Sequence, residues 1–224
     1  MILHIFGDSF SIPSTLYQHS SFKLWTEHLQ ELTKCDHIMN HAKEGVSNDY
    51  IFNCLLNESK NFQTDDVVIV QTTNAERQWF FKNKPELSNL YIKDIHEHIT
   101  KNEYETIQNF IKYFDTTHLI PIHLTMFILA VDSIKIKFPS IKFCIVPGWD
   151  SVPQVQGNLI KVSNEEFVSS SALAKWYNTH KSDPRPNHIQ HQKNHLVLAE
   201  KIHNFLFKGV QLNFEQGFET KFIN

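Results

Sequence analysis

A chain of 224 residues with 41% hydrophobic and 20% charged residues has the make-up of one globular domain able to bury a sizeable core. Its net charge of -3, with both signs interspersed, leaves no basic face for phosphates, so nucleic acid is not an expected partner. No apolar run approaches the roughly 20 residues that span a bilayer, and no basic segment leads into an apolar one at the start. A cytoplasmic location without membrane contact is therefore expected. Cys35, Cys54 and Cys144 are an odd number without CxxC spacing, two of them inside apolar segments, and read as reduced, buried thiols. The fourteen histidines are spread from His4 to His203 beside many Asn, Lys, Ile and Phe, a compositional bias rather than a metal signal.

Ile2, Leu3, Ile5 and Phe6 form an apolar run, broken only by His4, that ends at Gly7-Asp8-Ser9. A buried strand thus empties into a tight turn carrying a hydroxyl, and an open α/β sheet keeps its chemistry just beyond such strand ends. Gly, Asp and Ser are also the usual turn residues, so the triplet alone decides nothing. Phe22, Trp25, Leu29 and Leu32 have helical spacing and predict a helix over 21–34, with Ser20 and Ser21 as caps. A short second strand over 37–40 leads to a loop carrying Gly45, and Ser47 or Asn48 would cap a helix through Ile51, Leu55 and Leu56.

Val67-Val68-Ile69-Val70 is the strongest strand signal, a run of β-branched residues suited to a central parallel strand, followed by polar residues 71–77. Residues 79–101 mix aromatics and charges without clean periodicity and read as an insertion over the mouth of the site. Helical spacing returns over 103–114 and 117–138, with Pro121 near a start or at a kink, and 141–146 is a further strand. An irregular stretch over 152–162 with room for an edge strand and a helix over 164–177 come next. Ser182 to Ile189 is then held out of any helix by Pro184 and Pro186. A last helix over 192–207 would present Leu196, Ala199, Ile202 and Leu206 on one face. Strands alternating with helices argue for an α/β doubly wound parallel sheet spanning 1–208. The aromatic tail 209–224, with Phe214, Phe218 and Phe222, is expected to pack on the body or on a neighbouring subunit, the latter giving a homo-oligomer.

GDSFS after the first strand, GVSND after the second, TTNA after the third and DPRPNH before the last helix stand in one order, each motif short but all at strand exits or the final helix. In that order and placement the chain resembles the SGNH (GDSL-type) hydrolases over nearly its whole length. GVSNDYI, the Arg after TTNA, and RPNH followed by NHLVLAEKI are similar to SGNH-like hydrolases of bacteriophage, for which a virion-associated location would also fit. The resemblance implies a three-layer α/β/α sandwich with a flavodoxin-like parallel sheet of about five strands, the SGNH hydrolase fold. It implies a serine esterase needing no cofactor and no metal. Small acyl esters are the implied substrates, with acetyl groups on a glycan the best guess.

On the matching positions, Ser9 is the nucleophile, and its backbone N–H, that of Gly45 and the side-chain amide of Asn74 are the oxyanion donors. Such donors stabilise the developing charge by roughly 3 kcal/mol each. Asp8 is expected to hold the turn rather than react. His188 matches the general base, and Asp183 is the nearby carboxylate that would orient it. The family usually places that acid three residues before the base, whereas five separate them here, so either the loop is reshaped or the acid lies elsewhere. His180, His191 and His195 compete with His188. The third motif has Thr72 and Ala75 in place of the usual Gly and Asp. Arg77 is either a solvated charge or a substrate-binding group beside the oxyanion hole, and Trp79, Phe80 and Phe81 either pack or form a sugar platform. A metal site from His188, His191 and His195 lacks a further ligand. Rival functions are a lipase, thioesterase or lysophospholipase, or a non-catalytic carbohydrate-binding or virion structural module that keeps the fold.

Overall fold

The computed structural model describes residues 1–13, 23–73, 100–102, 105, 106, 109, 119–147, 192–210, 217 and 218. Among them four strands form one parallel sheet: β1 (Ile2–Phe6), β2 (His37–Asn40), β3 (Val67–Thr72) and β4 (Lys142–Pro147), in the order β2-β1-β3-β4. The helices are α1 (Trp25–Thr33), α2 (Asn48–Glu58), α3 (Leu119–Lys137) and α4 (Gln192–Lys208). This is a mixed α/β architecture whose strand order is that of a doubly wound sheet, with its switch point between β1 and β3. The edge strand expected within 152–162 and the helix over 164–177 lie outside the described residues. So do most of the insertion and of the helix over 103–114.

The period-two alternation of strands divides the core into two halves. Leu3 and Ile5 of β1, Val67 and Ile69 of β3, and Cys144 and Val146 of β4 pack with Trp25 and Leu29 of α1 and with Leu198, Ala199 and Ile202 of α4. Phe6, Val68, Val70, Phe143 and Ile145 face the other way, onto Ile51 and Leu55 of α2 and Phe127, Val131 and Ile134 of α3. Helices therefore cover both faces, which is compatible with a three-layer α/β/α arrangement and explains why β1 and β3 are apolar without alternation. Phe218 also packs against the α1/α4 face, with Lys201 Nζ 5.3 Å above its ring. All three cysteines are free; Cys35 and Cys144 are buried and Cys54 is half-buried. Among the described residues no helix is long and apolar enough to cross a membrane.

Several boundaries differ from the sequence expectation for physical reasons. Helix α1 begins at Trp25 rather than residue 21, because extended Leu24 precedes it and directs its N–H to Glu27 Oε2 at 2.8 Å. Ser20 and Ser21 lie outside the described residues. Strand β3 continues through Gln71 and Thr72, which pair with Val146 and Pro147 of β4. The buried face of α4 is Asn194, His195, Leu198, Ala199 and Ile202, an i, i+4, i+7 stripe about His195, and Leu196 is 39% exposed. Leu56 likewise lies on the solvent side of α2 at 44% exposure. Ser47, not Asn48, caps α2, its Oγ accepting from Tyr50 N at 3.3 Å.

Candidate active site

Ser9 opens a short 3-10 turn, Ser9–Ser11, at the carboxyl end of β1 and is only 6% exposed. The turn is held by Asp8, whose Oδ1 accepts from Phe10 N at 3.1 Å and whose Oδ2 accepts from Thr73 Oγ1 at 2.7 Å. Asp8 is fully buried and committed to these donors, so it braces the turn. Gln71 Oε1 accepts from Asp8 N at 3.2 Å and from Ser11 Oγ at 3.1 Å. Asn40 Nδ2 donates to Ser11 O at 2.7 Å, and the Trp25 indole N–H donates to Phe10 O at 2.8 Å. Groups from β2, β3 and α1 thus fix the peptide units around Ser9.

The loop after β2 runs alongside the same turn, with His41 N donating to Ile5 O at 2.8 Å and Lys43 N to Gly7 O at 3.1 Å. Gly45 follows at φ +68°, in the left-handed region that a Cβ disfavours, so the loop's conformation requires glycine there. The ring of His41 stacks on Phe6 at 4.6 Å, and burial pushes its pKa below the ordinary histidine value, with Glu58 opposing the shift. At the exit of β3, Asn48 makes two bonds to one residue: its Oδ1 accepts from Thr73 N at 2.9 Å and its Nδ2 donates to Thr73 O at 3.0 Å. His123 of α3 adds its Nδ1 3.3 Å from the same Nδ2.

Of the residues singled out from sequence, Ser9 and Gly45 stand on the exits of β1 and β2, and those exits are bonded to each other through Gly7 and Lys43. Asn74, Arg77, Asp183 and His188 lie outside the described residues, as do His180, His191, Trp79, Phe80 and Phe81. His195 is described and has another employment: it is fully buried, and its Nδ1 accepts from Trp25 N at 3.0 Å. Gln71, Thr73 and His123 were missed by sequence reasoning. The only signal for Gln71 was a polar residue closing a β-branched strand; Thr73 and His123 act through partners far away in the chain. A cleft of about 360 Å³ lined by Lys135, Ser140, Lys142 and Phe143 lies at the amino end of β4, opposite to the end that carries Ser9. No protein-family model matches the chain, and no curated protein matches it either.

Proposed function

We propose that the chain is a serine esterase of the SGNH hydrolase kind, on a three-layer α/β/α sandwich, that removes small acyl groups, acetyl above all, from a carbohydrate. One observation carries this. Ser9 sits at the carboxyl end of β1, beside the β1/β3 switch point, within a rim where the exits of β1, β2 and β3 are hydrogen-bonded to one another through Lys43 N to Gly7 O and Thr73 Oγ1 to Asp8 Oδ2. Ligands of open α/β sheets bind in that crevice, and a hydroxyl on a braced turn is well placed to attack one.

In this function Ser9 Oγ attacks the ester carbonyl while His188 takes its proton and passes it to the leaving alkoxide. Asp183 orients the imidazole. The backbone N–H groups of Ser9 and Gly45 and the amide of Asn74 receive the charge on the carbonyl oxygen, with Arg77 holding substrate beside them. Water, activated by His188, then releases the acid and regenerates Ser9. Two bonds tie the start of α4, which follows the DPRPNH segment in the chain, to the Ser9 turn. His195 ties the first turn of α4 to Trp25, and Trp25 is tied to Phe10 beside Ser9. Substrate class rests on the resemblance, since the fold alone does not set it.

Hydrolysis of p-nitrophenyl acetate by the protein and by Ser9→Ala, with matched folding checks, tests this. Turnover that falls by about a thousandfold or more in the variant is the expected result. Equal activity in both overturns Ser9 as nucleophile. Inactivity in both across a series of acyl lengths, with sugar binding that ignores the Ser9 substitution, overturns the esterase in favour of a binding module.

A further inference from the structure

We infer that His123 is a positioning residue that sets the exit of β3 against the Ser9 turn; its effect on turnover rests on the esterase function proposed above, its effect on the backbone does not. His123 is 4% exposed on α3, Asn48 is 3% exposed at the start of α2, and Thr73 is 1% exposed at the end of β3. Because Asn48 Oδ1 accepts from Thr73 N, the orientation of its amide is determined, and Nδ2 is the atom that faces His123 Nδ1. Nδ2 can only donate, so Nδ1 must be the bare acceptor and the ring proton sits on Nε2. That Nε2 faces Asp49 Oδ1 at 3.6 Å, too long for a hydrogen bond, so the ring's N–H dipole is only oriented toward the carboxylate.

The consequence reaches Ser9. Asn48 holds both the N–H and the C=O of Thr73, which orients the two peptide planes flanking that residue and the direction in which the chain leaves β3. Thr73 Oγ1 passes the constraint to Asp8 Oδ2, and Asp8 Oδ1 passes it to Phe10 N, the residue after Ser9. Asn48 also lies three residues beyond Gly45, so the same amide links the exits of β2 and β3. With His123 accepting one Nδ2 hydrogen, the other stays directed at Thr73 O. Without that acceptor the amide can turn, and the spacing among the three exits loosens. A histidine that only filled the core would not have this effect.

His123→Leu and His123→Asn separate the two roles. Asparagine places an acceptor near the position of Nδ1, whereas leucine fills the volume without one. The readouts are p-nitrophenyl acetate kinetics and hydrogen exchange at the Thr73 amide, followed by NMR well below the melting temperature. In His123→Leu, kcat should fall roughly ten- to hundredfold with KM within about twofold. Thr73 exchange should quicken roughly tenfold or more, and His123→Asn should restore most of both. Unchanged Thr73 exchange in His123→Leu overturns the inference, and so does an equal loss in both variants, which would mark a role in packing alone. If the unmodified protein turns over no ester, the esterase function fails by itself, and Thr73 exchange still decides the inference in the same way. Should His123→Leu fail to fold, His123→Gln takes its place, since its amide reaches the Nε2 position and should not restore Thr73 protection.

Discussion

The imidazole of His195, in the first turn of α4, accepts the backbone N–H of Trp25 at 3.0 Å and so caps α1 from a second helix. The first N–H groups of a helix have no partner within it, and here one is satisfied by a side chain 170 residues away in sequence. Both residues are buried, His195 at 0% and Trp25 at 1% exposure. His195→Leu should therefore cost about 1–3 kcal/mol, since it leaves a buried donor without its acceptor. Urea unfolding checks this. A change below about 0.5 kcal/mol would mean that the bond contributes little beyond packing.

Protonation of buried histidines should make the fold sensitive to mild acid. His4 is 3% exposed in the middle of β1, its Nε2 is 3.2 Å from Asp66 Oδ2, and its Nδ1 has no hydrogen-bond partner. Burial pushes the pKa of His4 below the ordinary value of 6.5, with Asp66 pulling it back up, and burial likewise lowers His28 and His41. A group whose pKa is lower in the folded state binds fewer protons there than in the unfolded chain between the two pKa values. Stability then rises with pH across that window. The urea midpoint should accordingly hold steady above neutrality and fall as pH drops through 6.5, the unfolded value. His41→Phe, which keeps an aromatic ring against Phe6, should flatten part of that slope. An unaltered slope would remove His41 from the account.

What could be read from the chain beforehand depended on how local the determining interactions are. Strands β1 and β3 were legible because both faces of each are buried, so Ile2 to Phe6 and Val67 to Val70 are apolar almost throughout. Asp8 was legible as a brace because an Asx turn acts on the residue two positions on, here Phe10. The start of α1 was legible only in part: Leu24 N finds Glu27 three residues on, but the acceptor for Trp25 N belongs to α4. The phase of α4 was not legible: Leu196 looks like core on hydropathy, yet the helix buries Asn194 and His195, the latter against the first backbone N–H of α1. His195, one of the histidines that compete with His188 for the role of base, instead has its Nδ1 engaged by Trp25 N. Gln71, Asn48 and His123 carry the rim through contacts across 60, 25 and 75 residues, which no short window of sequence contains.

Gly7 is required by close approach rather than by backbone conformation. A Cβ there would lie 2.6 Å from Ser11 Oγ and 2.8 Å from Gln71 Oε1, and these two atoms are bonded to each other at 3.1 Å. Ser11 is fully buried with its carbonyl held by Asn40 Nδ2, and Gln71 is fully buried with its Oε1 also accepting from Asp8 N. Neither can retreat without breaking a bond that orients the turn. Gly7→Ala should thus destabilise the fold by about 1–3 kcal/mol, the usual cost of overpacking a tight interior. It should also lower ester turnover more than the fraction unfolded explains, because the Asp8 peptide next to Ser9 loses its Gln71 partner. Urea unfolding and kcat on the same preparation test both parts. Gly7→Ala combined with Ser11→Gly, which removes the nearer clash, should recover part of the stability. Failure to recover any would mean that the contact with Gln71, not Ser11, sets the limit at this position.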